Sequence, residues 1–118
     1  MMVLMDTNAL AMPAQFGIDV FEEAKRLVPG AEFATVRQVV SELGALGDRQ
    51  AGALGLGLIG KFGVKVLDEP GSADDALLNA ARRHGGAVCT NDAALRKRCK
   101  EAGVPVLFMR KKRMLELR

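Results

Sequence analysis

The chain has no tryptophan, no tyrosine and a single histidine, His84, in 118 residues. Its five phenylalanines are scattered. A platform of neighbouring aromatics for base stacking is therefore excluded, and any contact with nucleic acid is expected to be mainly electrostatic. One histidine and two cysteines without ligand spacing argue against a zinc centre. The same lone histidine, placed beside Gly85 where a helix should end, argues against a nucleophilic triad, which needs a positioned base. Cys89 lies in an apolar run and Cys99 in a basic helix, with no framework pattern, which points to a reducing, cytoplasmic setting. No apolar run approaches the roughly 20 residues that cross a bilayer, so no membrane span is expected. No basic region followed by an apolar stretch and a small-residue cleavage site is visible, so no secretory signal is expected either.

Charge is the first positive feature. The formal net charge is +3, from 17 Lys and Arg against 14 Asp and Glu. Its distribution is uneven: Arg96, Lys97, Arg98, Lys100, Arg110, Lys111, Lys112, Arg113 and Arg118 are opposed in that stretch only by Glu101 and Glu116. Such a block suits phosphate backbones. The length allows one domain, read as residues 1–109, followed by a basic tail over residues 110–118.

Apolar patterning alternates between strand and helix. Val3-Leu4-Met5 suits a buried strand that stops at Asp6. A loop is expected through Pro13 and Gly17, then a helix capped by Asp19 with Glu22 three residues on. Glu32 to Val36 reads as a second strand, and Val36, Val39, Val40 and Leu43 recur at helical spacing. Further helices are expected over Gln50 to Lys61, from Ser72 to about His84, and from about Asp92 to Ala102. Strands are expected over Val64–Leu67, Ala87–Thr90 and Val104–Met109. This alternation indicates a parallel sheet covered on both faces, with the strand carboxyl ends on one side.

Gly55-Leu56-Gly57-Leu58-Ile59-Gly60 matches G-x-G-x-x-G, and with Lys61 it nearly matches a P-loop. Both motifs need a strand before the glycines and a helix after them. Here the helical pattern comes first, Phe62 stands where a P-loop has a hydroxyl, and Asp68 is too near for a ribose-binding acid. Close packing of a helix is the expected use of these glycines; a nucleotide-binding module is the reading that Gly60→Ala would test.

The acids are more informative. Asp6 and Asp92 each follow a buried strand, Asp74 and Asp75 open a helix, and Glu42 flanks the stripe of the helix after the second strand. Each has an ordinary structural alternative as a cap or a solvated charge. Together they stand at the openings of one sheet, where ligands are held. Clustered carboxylates raise one another's pKa unless a cation joins them, and hard divalent cations, magnesium or manganese, take oxygen ligands.

VLMDTNAL, VVSELGAL, ADDALLNAA and AVCTNDAALRKR, with the ending VPVLFMRKKRMLEL, resemble the PIN-domain (PilT N-terminal) nucleases across nearly the whole chain. The likeness is to small stand-alone archaeal members, similar to VapC toxins and to the eukaryotic PIN nucleases that process pre-ribosomal RNA. The resemblance implies a three-layer α/β/α sandwich with a central parallel sheet of four to five strands, and an endoribonuclease dependent on Mg²⁺ or Mn²⁺. It implies Asp6, Glu42, Asp75 and Asp92 as catalytic metal ligands, supported by Asn8, Thr90, Asn91 and, less directly, Asp74. Arg96, Lys97, Lys100, Arg110, Lys111, Lys112 and Arg113 are then the residues expected to hold RNA, and a homodimer is expected. The short, glycine-rich middle helices depart from the clip-like helices of many VapC toxins, so an antitoxin partner does not follow. The alternative is a PIN-like protein that binds RNA in ribosome assembly without cutting it.

Overall fold

The structure is a computed structural model describing residues 1–118. Val3, Leu4 and Met5 of strand β1 (Met2–Met5) have no exposed surface, although successive strand residues point to opposite faces. Both faces of the sheet are therefore covered at this strand. The same holds for β4 (Ala87–Cys89). β1 pairs in parallel with β2 (Glu32–Val36) on one side and with β4 on the other. β3 (Lys65–Leu67) extends the sheet beyond β2, and β5 (Val106–Arg110) extends it beyond β4.

Six helices connect and cover the strands: α1 (Thr7–Phe16), α2 (Val20–Leu27), α3 (Arg37–Gly44), α4 (Arg49–Lys61), α5 (Ala73–His84) and α6 (Ala93–Glu101). None is long and apolar enough to cross a membrane. Both cysteines are buried and free.

Two expectations are corrected. The loop expected after Asp6 is a helix, α1, with Pro13 inside it. Asp6 caps it by accepting from the Ala9 N–H at 2.7 Å, and Gly17 closes it in the left-handed conformation. Pro13 removes one helical donor, but Ala9, Leu10, Ala11 and Met12 are buried in the core, and that packing overrides the break. Second, the sheet has six strands rather than four or five, in the order β3-β2-β1-β4-β5-β6. The segment read as a basic tail folds back as β6 (Met114–Leu117), antiparallel to β5. Lys111 and Lys112 form the turn with φ of 55° and 54°, a conformation that asparagine and glycine usually supply. β6 is sealed from the side by α2: the Leu115 N–H donates to Glu23 Oε1 at 3.0 Å, and Arg26 Nη2 donates to the Leu115 carbonyl at 2.9 Å. Leu115 itself is buried. One buried leucine and two side-chain bonds thus hold an edge that charge patterning alone reads as frayed.

The glycine-rich stretch lies wholly inside α4, so its amides serve a helix and no phosphate loop exists. A β-carbon on Gly52 would run into the Leu43 carbonyl oxygen, and one on Gly55 would press on the Leu43 side chain and the Leu10 carbonyl. Gly57 has open space around it. Gly52→Ala is expected to destabilise the protein by about 1–3 kcal/mol through overpacking against α3. Gly57→Ala is expected to stabilise it by roughly 0.5–1 kcal/mol, because alanine is the better helix former. Urea unfolding of the two variants checks this; equal effects would show that the glycines do not set the α3–α4 approach.

Candidate active site

The chain runs from β1 outward to β2 and β3, then returns across β1 to β4. The carboxyl ends of β1 and β4 therefore flank the point where strand order reverses, which is where an open α/β sheet leaves a crevice. Asp6 follows β1 and caps α1. Asp92 follows β4 and caps α6 by accepting from the Leu95 N–H at 2.9 Å. Ser72 caps α5, placing Asp74 in its first turn. Three helix N-termini thus face one crevice, and each favours negative charge nearby.

The pocket there has a volume of about 480 Å³ and is lined by Asp6, Asn8, Glu42, Asp74 and Asp92, with Thr7 and the Ala45–Gly47 turn completing its wall. No lysine or arginine lines it. Thr7 Oγ1 donates to Glu42 Oε1 at 2.5 Å, so the end of α1 holds the α3 glutamate in place. Thr90, fully buried, donates its hydroxyl to Asp6 Oδ2 and accepts from the Asp92 N–H at 3.0 Å. One hydroxyl therefore ties the acid after β1 to the turn after β4.

Burial pushes the Asp6 carboxyl up to about 7, against the pull of its hydrogen bonds from Thr90 and Ala9, and the charges of Asp74 and Asp92 push the same way. Asp74 is raised above the ordinary carboxylate range, first by burial and then by Asp92, with Arg98 opposing. A positively charged protein thus carries one pocket lined by four acids and no lysine or arginine.

Asp75 is elsewhere. Its carboxylate accepts from Arg98 Nη2 at 2.7 Å, on the exposed surface between α5 and α6, and that bond holds it below the ordinary range. The structure brings together Asp6, Glu42 and Asp92 as expected, but the third acid of the pocket is Asp74 rather than Asp75. The sequence patterns of the two neighbours are equivalent as helix starters; only the rotation of α5 against the sheet separates them. Asn91 is also outside: its Oδ1 accepts from the Met109 N–H at 2.7 Å and pins the turn to β5. Thr7 was missed, since its position beside Asp6 gives no sign of a partner 35 residues away.

The donor set is made of oxygen, which fits a hard divalent cation. Asp6 supplies the clearest reason for one: a buried carboxylate whose partners, a hydroxyl and an amide, leave its charge unbalanced. No group of three acidic, histidine or cysteine side chains is drawn together closely enough to hold a metal ion by itself.

A family model described as a PIN-like domain matches residues 3–112. The chain belongs to the PIN-like domain family. No curated protein matches it. Among solved structures, this PIN-like domain is similar to the PIN domain endonuclease Utp24, at 26% identity and a TM-score of 0.80, over 98% of this chain and 90% of that one. It also shares its fold with a domain of a functionally unknown protein from Methanocaldococcus jannaschii DSM 2661, at 18% identity and a TM-score of 0.62, over 92% of this chain and 91% of that one. A third likeness is to VapBC2 from Rickettsia felis bound to a DNA fragment from their promoter, at 12% identity and a TM-score of 0.59, over 82% of this chain and 92% of that one. The six-stranded, mostly parallel sheet of this PIN-like domain is the α/β architecture implied by the resemblance read from sequence, with six strands in place of four to five.

Proposed function

We propose that this chain is a metal-dependent endoribonuclease that hydrolyses RNA phosphodiester bonds, with Asp6, Glu42, Asp74 and Asp92 as the acids of its active site. The observation that carries the reading is the pocket itself: four carboxylates at the strand-order reversal, with no basic side chain lining it. Similarity to an endonuclease over nearly the full chain supports it. Asp6 and Asp92 would hold Mg²⁺ or Mn²⁺, with Asp74 and Glu42 acting directly or through water. When bound, such a cation lowers the pKa of a water and neutralises charge developing on the phosphate.

The chain's own residues do the rest. Thr90 and the Ala9 N–H fix both oxygens of Asp6, so its carboxylate cannot swing away. Thr7 restrains Glu42 in the same manner. The N-termini of α1, α5 and α6 favour a phosphate at the mouth of the pocket. Asp74 lines the pocket from the first turn of α5, where it would act on the cation directly or through water. Basic residues of α6 and of the β5–β6 turn would hold the RNA backbone, a salt-sensitive contact.

The test is cleavage of structured and unstructured RNA with manganese, magnesium or EDTA. Cleavage with either metal and none with EDTA is expected; activity that persists in EDTA would overturn the reading. A role in RNA processing, or as a VapC-like ribonuclease, is proposed from the family resemblance, and the likeness over nearly the full chain to a PIN domain endonuclease supports a nuclease in either case. We also propose a homodimer, on the family resemblance alone, which a monomer in sedimentation would retire.

One observation favours a second reading, an RNA-binding protein that does not cut. The acid that resemblance puts forward as a ligand, Asp75, is tied to Arg98. Such a protein would bind RNA yet leave manganese unbound in titration.

A further inference from the structure

Five of the six helices start on a side chain that accepts from their own first turn: Asp6, Asp19, Asp48, Ser72 and Asp92. α3, which carries Glu42, does not. Its N-cap is Val36, and no side chain caps it. What fixes α3 lies instead in its first turn. Gln38 Nε2 donates to the Glu69 carbonyl at 2.6 Å and to the Gly71 carbonyl at 2.9 Å. Both carbonyls belong to the loop that runs from β3 into α5. A carbonyl can be met only by the amide's NH2, so the two bonds also fix which way the amide points. Its Oε1 is buried and has no partner. An unpaired buried acceptor opposes stability, so what the side chain contributes is the pair of bonds.

That loop bears directly on the acids. Gly71 has a φ of 97°, and a β-carbon on it would lie 3.1 Å from the Cβ of Asp75, so the loop rests on the first turn of α5. Ser72, next in the chain, caps that helix. A shift at Gly71 is therefore passed to the rotation of α5, which decides whether Asp74 or Asp75 faces the crevice. On the other side of the contact, Glu42 follows Gln38 by four residues and lies on the same side of α3. Asp74 is raised first by burial and then by Asp92, and the charge of Glu42 acts in the same direction. The loop's other ties are ionic: Arg37 meets Asp68 at 2.6 Å with both exposed, and Arg83 meets the buried Glu69 at 3.2 Å. An exposed ion pair holds a segment loosely. One amide thus joins the helix of one acid to the start of the helix of another.

We propose that Gln38 is a positioning residue: it holds the start of α5 at a set distance and rotation from α3, so that Asp74 shares the pocket with Glu42. The inference rests on the ribonuclease reading and adds to it a residue that lies outside the pocket lining. Gln38 acts on the site only through the acids whose spacing it sets.

The experiment takes two readouts on the full chain. One is amide hydrogen exchange by NMR in EDTA; the other is Mn²⁺ affinity, followed by loss of the free ion's electron paramagnetic resonance signal. Gln38→Met removes both donors at similar length, and Gln38→Asn keeps the amide but falls one methylene short. In both variants the Asp75 and Ala76 amides, which bond to Ser72, should exchange about tenfold faster, with those of β1 and β4 unchanged. Mn²⁺ affinity should fall about tenfold, as for other residues that orient metal ligands from outside. In an Asp74→Asn background the same substitutions should lower it less than about twofold, because Gln38 acts through Asp74. Arg37→Met, which loses only an exposed ion pair, should stay within about twofold of wild type. Unchanged exchange in both variants would overturn the clamp. Wild-type Mn²⁺ affinity despite faster exchange, or an undiminished loss in the Asp74→Asn background, would overturn the positioning role. Failure of the wild type to bind Mn²⁺ would overturn the ribonuclease reading instead, and exchange would still decide whether Gln38 orders α5.

Discussion

Asp6→Asn is expected to abolish cleavage and, in the same protein, to raise stability when no metal is present. Asparagine keeps the shape of the side chain and an oxygen to accept the Ala9 N–H, so α1 retains its cap. It removes the charge that a cation would need, and the loss of cleavage should exceed about a hundredfold, the upper end for disturbing even an outer metal-site residue. The gain in stability follows from burial. The Asp6 carboxyl is raised from 3.8 to about 7 in the folded chain. A carboxyl with a raised folded pKa favours the folded state while it is protonated. That contribution is complete below the unfolded pKa and is lost as the pH rises through about 7. A shift of this size corresponds to at most about 4 kcal/mol above the folded pKa. Metal-free wild type should therefore lose stability between about pH 4 and pH 7, the window between the ordinary value of 3.8 and the raised Asp6 value. The asparagine variant should lose less over that range and be the more stable protein at pH 8. Urea unfolding in EDTA at pH 4 and pH 8 measures both quantities. A variant less stable than wild type at pH 8 would show that Asp6 is a structural cap and nothing more.

The second large effect separates two adjacent residues. Asp74→Asn is expected to remove most cleavage activity, by about a hundredfold, whereas Asp75→Asn should leave it within a few-fold of wild type. Asp74 lines the pocket and is raised by burial and by Asp92. Asp75 meets Arg98 on the surface, where its replacement loses an exposed ion pair that solvent already weakens. Initial rates on one RNA substrate at saturating manganese compare the two directly. The reverse order of effects would mean that Arg98 releases Asp75 in the working enzyme and that the third acid is the one expected from family resemblance.

These residues also show what the sequence makes legible. The strands carrying Asp6 and Asp92 are short apolar runs ended by an acid, and such runs are readable because a parallel sheet buries both faces. The reversal of strand order between β1 and β4, which brings those acids together, follows from a connection rule and not from local composition. The choice between Asp74 and Asp75 was not legible. Both sit in the first turn of α5, and about 100° of helix rotation decides which one faces the crevice. Pro13 misled for a related reason: its local cost was readable, but the burial of Leu10 and Met12 that outweighs it was not. The basic run from Arg110 to Arg113 concealed a strand, because Leu115 and its partners on α2 lie far apart in the chain. The scattered phenylalanines likewise meet in space: Phe21 is stacked on Phe62 at 4.2 Å and stands edge-on to Phe33 at 4.9 Å. These three pack together in or against the core, and the Arg96 guanidinium lies over a fourth ring, Phe108.

The most direct measurement is an anomalous difference map from a crystal soaked in Mn²⁺. A peak in the crevice beyond β1 and β4, within coordination reach of Asp6 or Asp92 and with Asp74 facing it, is what carboxylates gathered there without a counter-ion predict. A clean map at that position in crystals that show manganese elsewhere would contradict the shared cation on which the ribonuclease assignment depends.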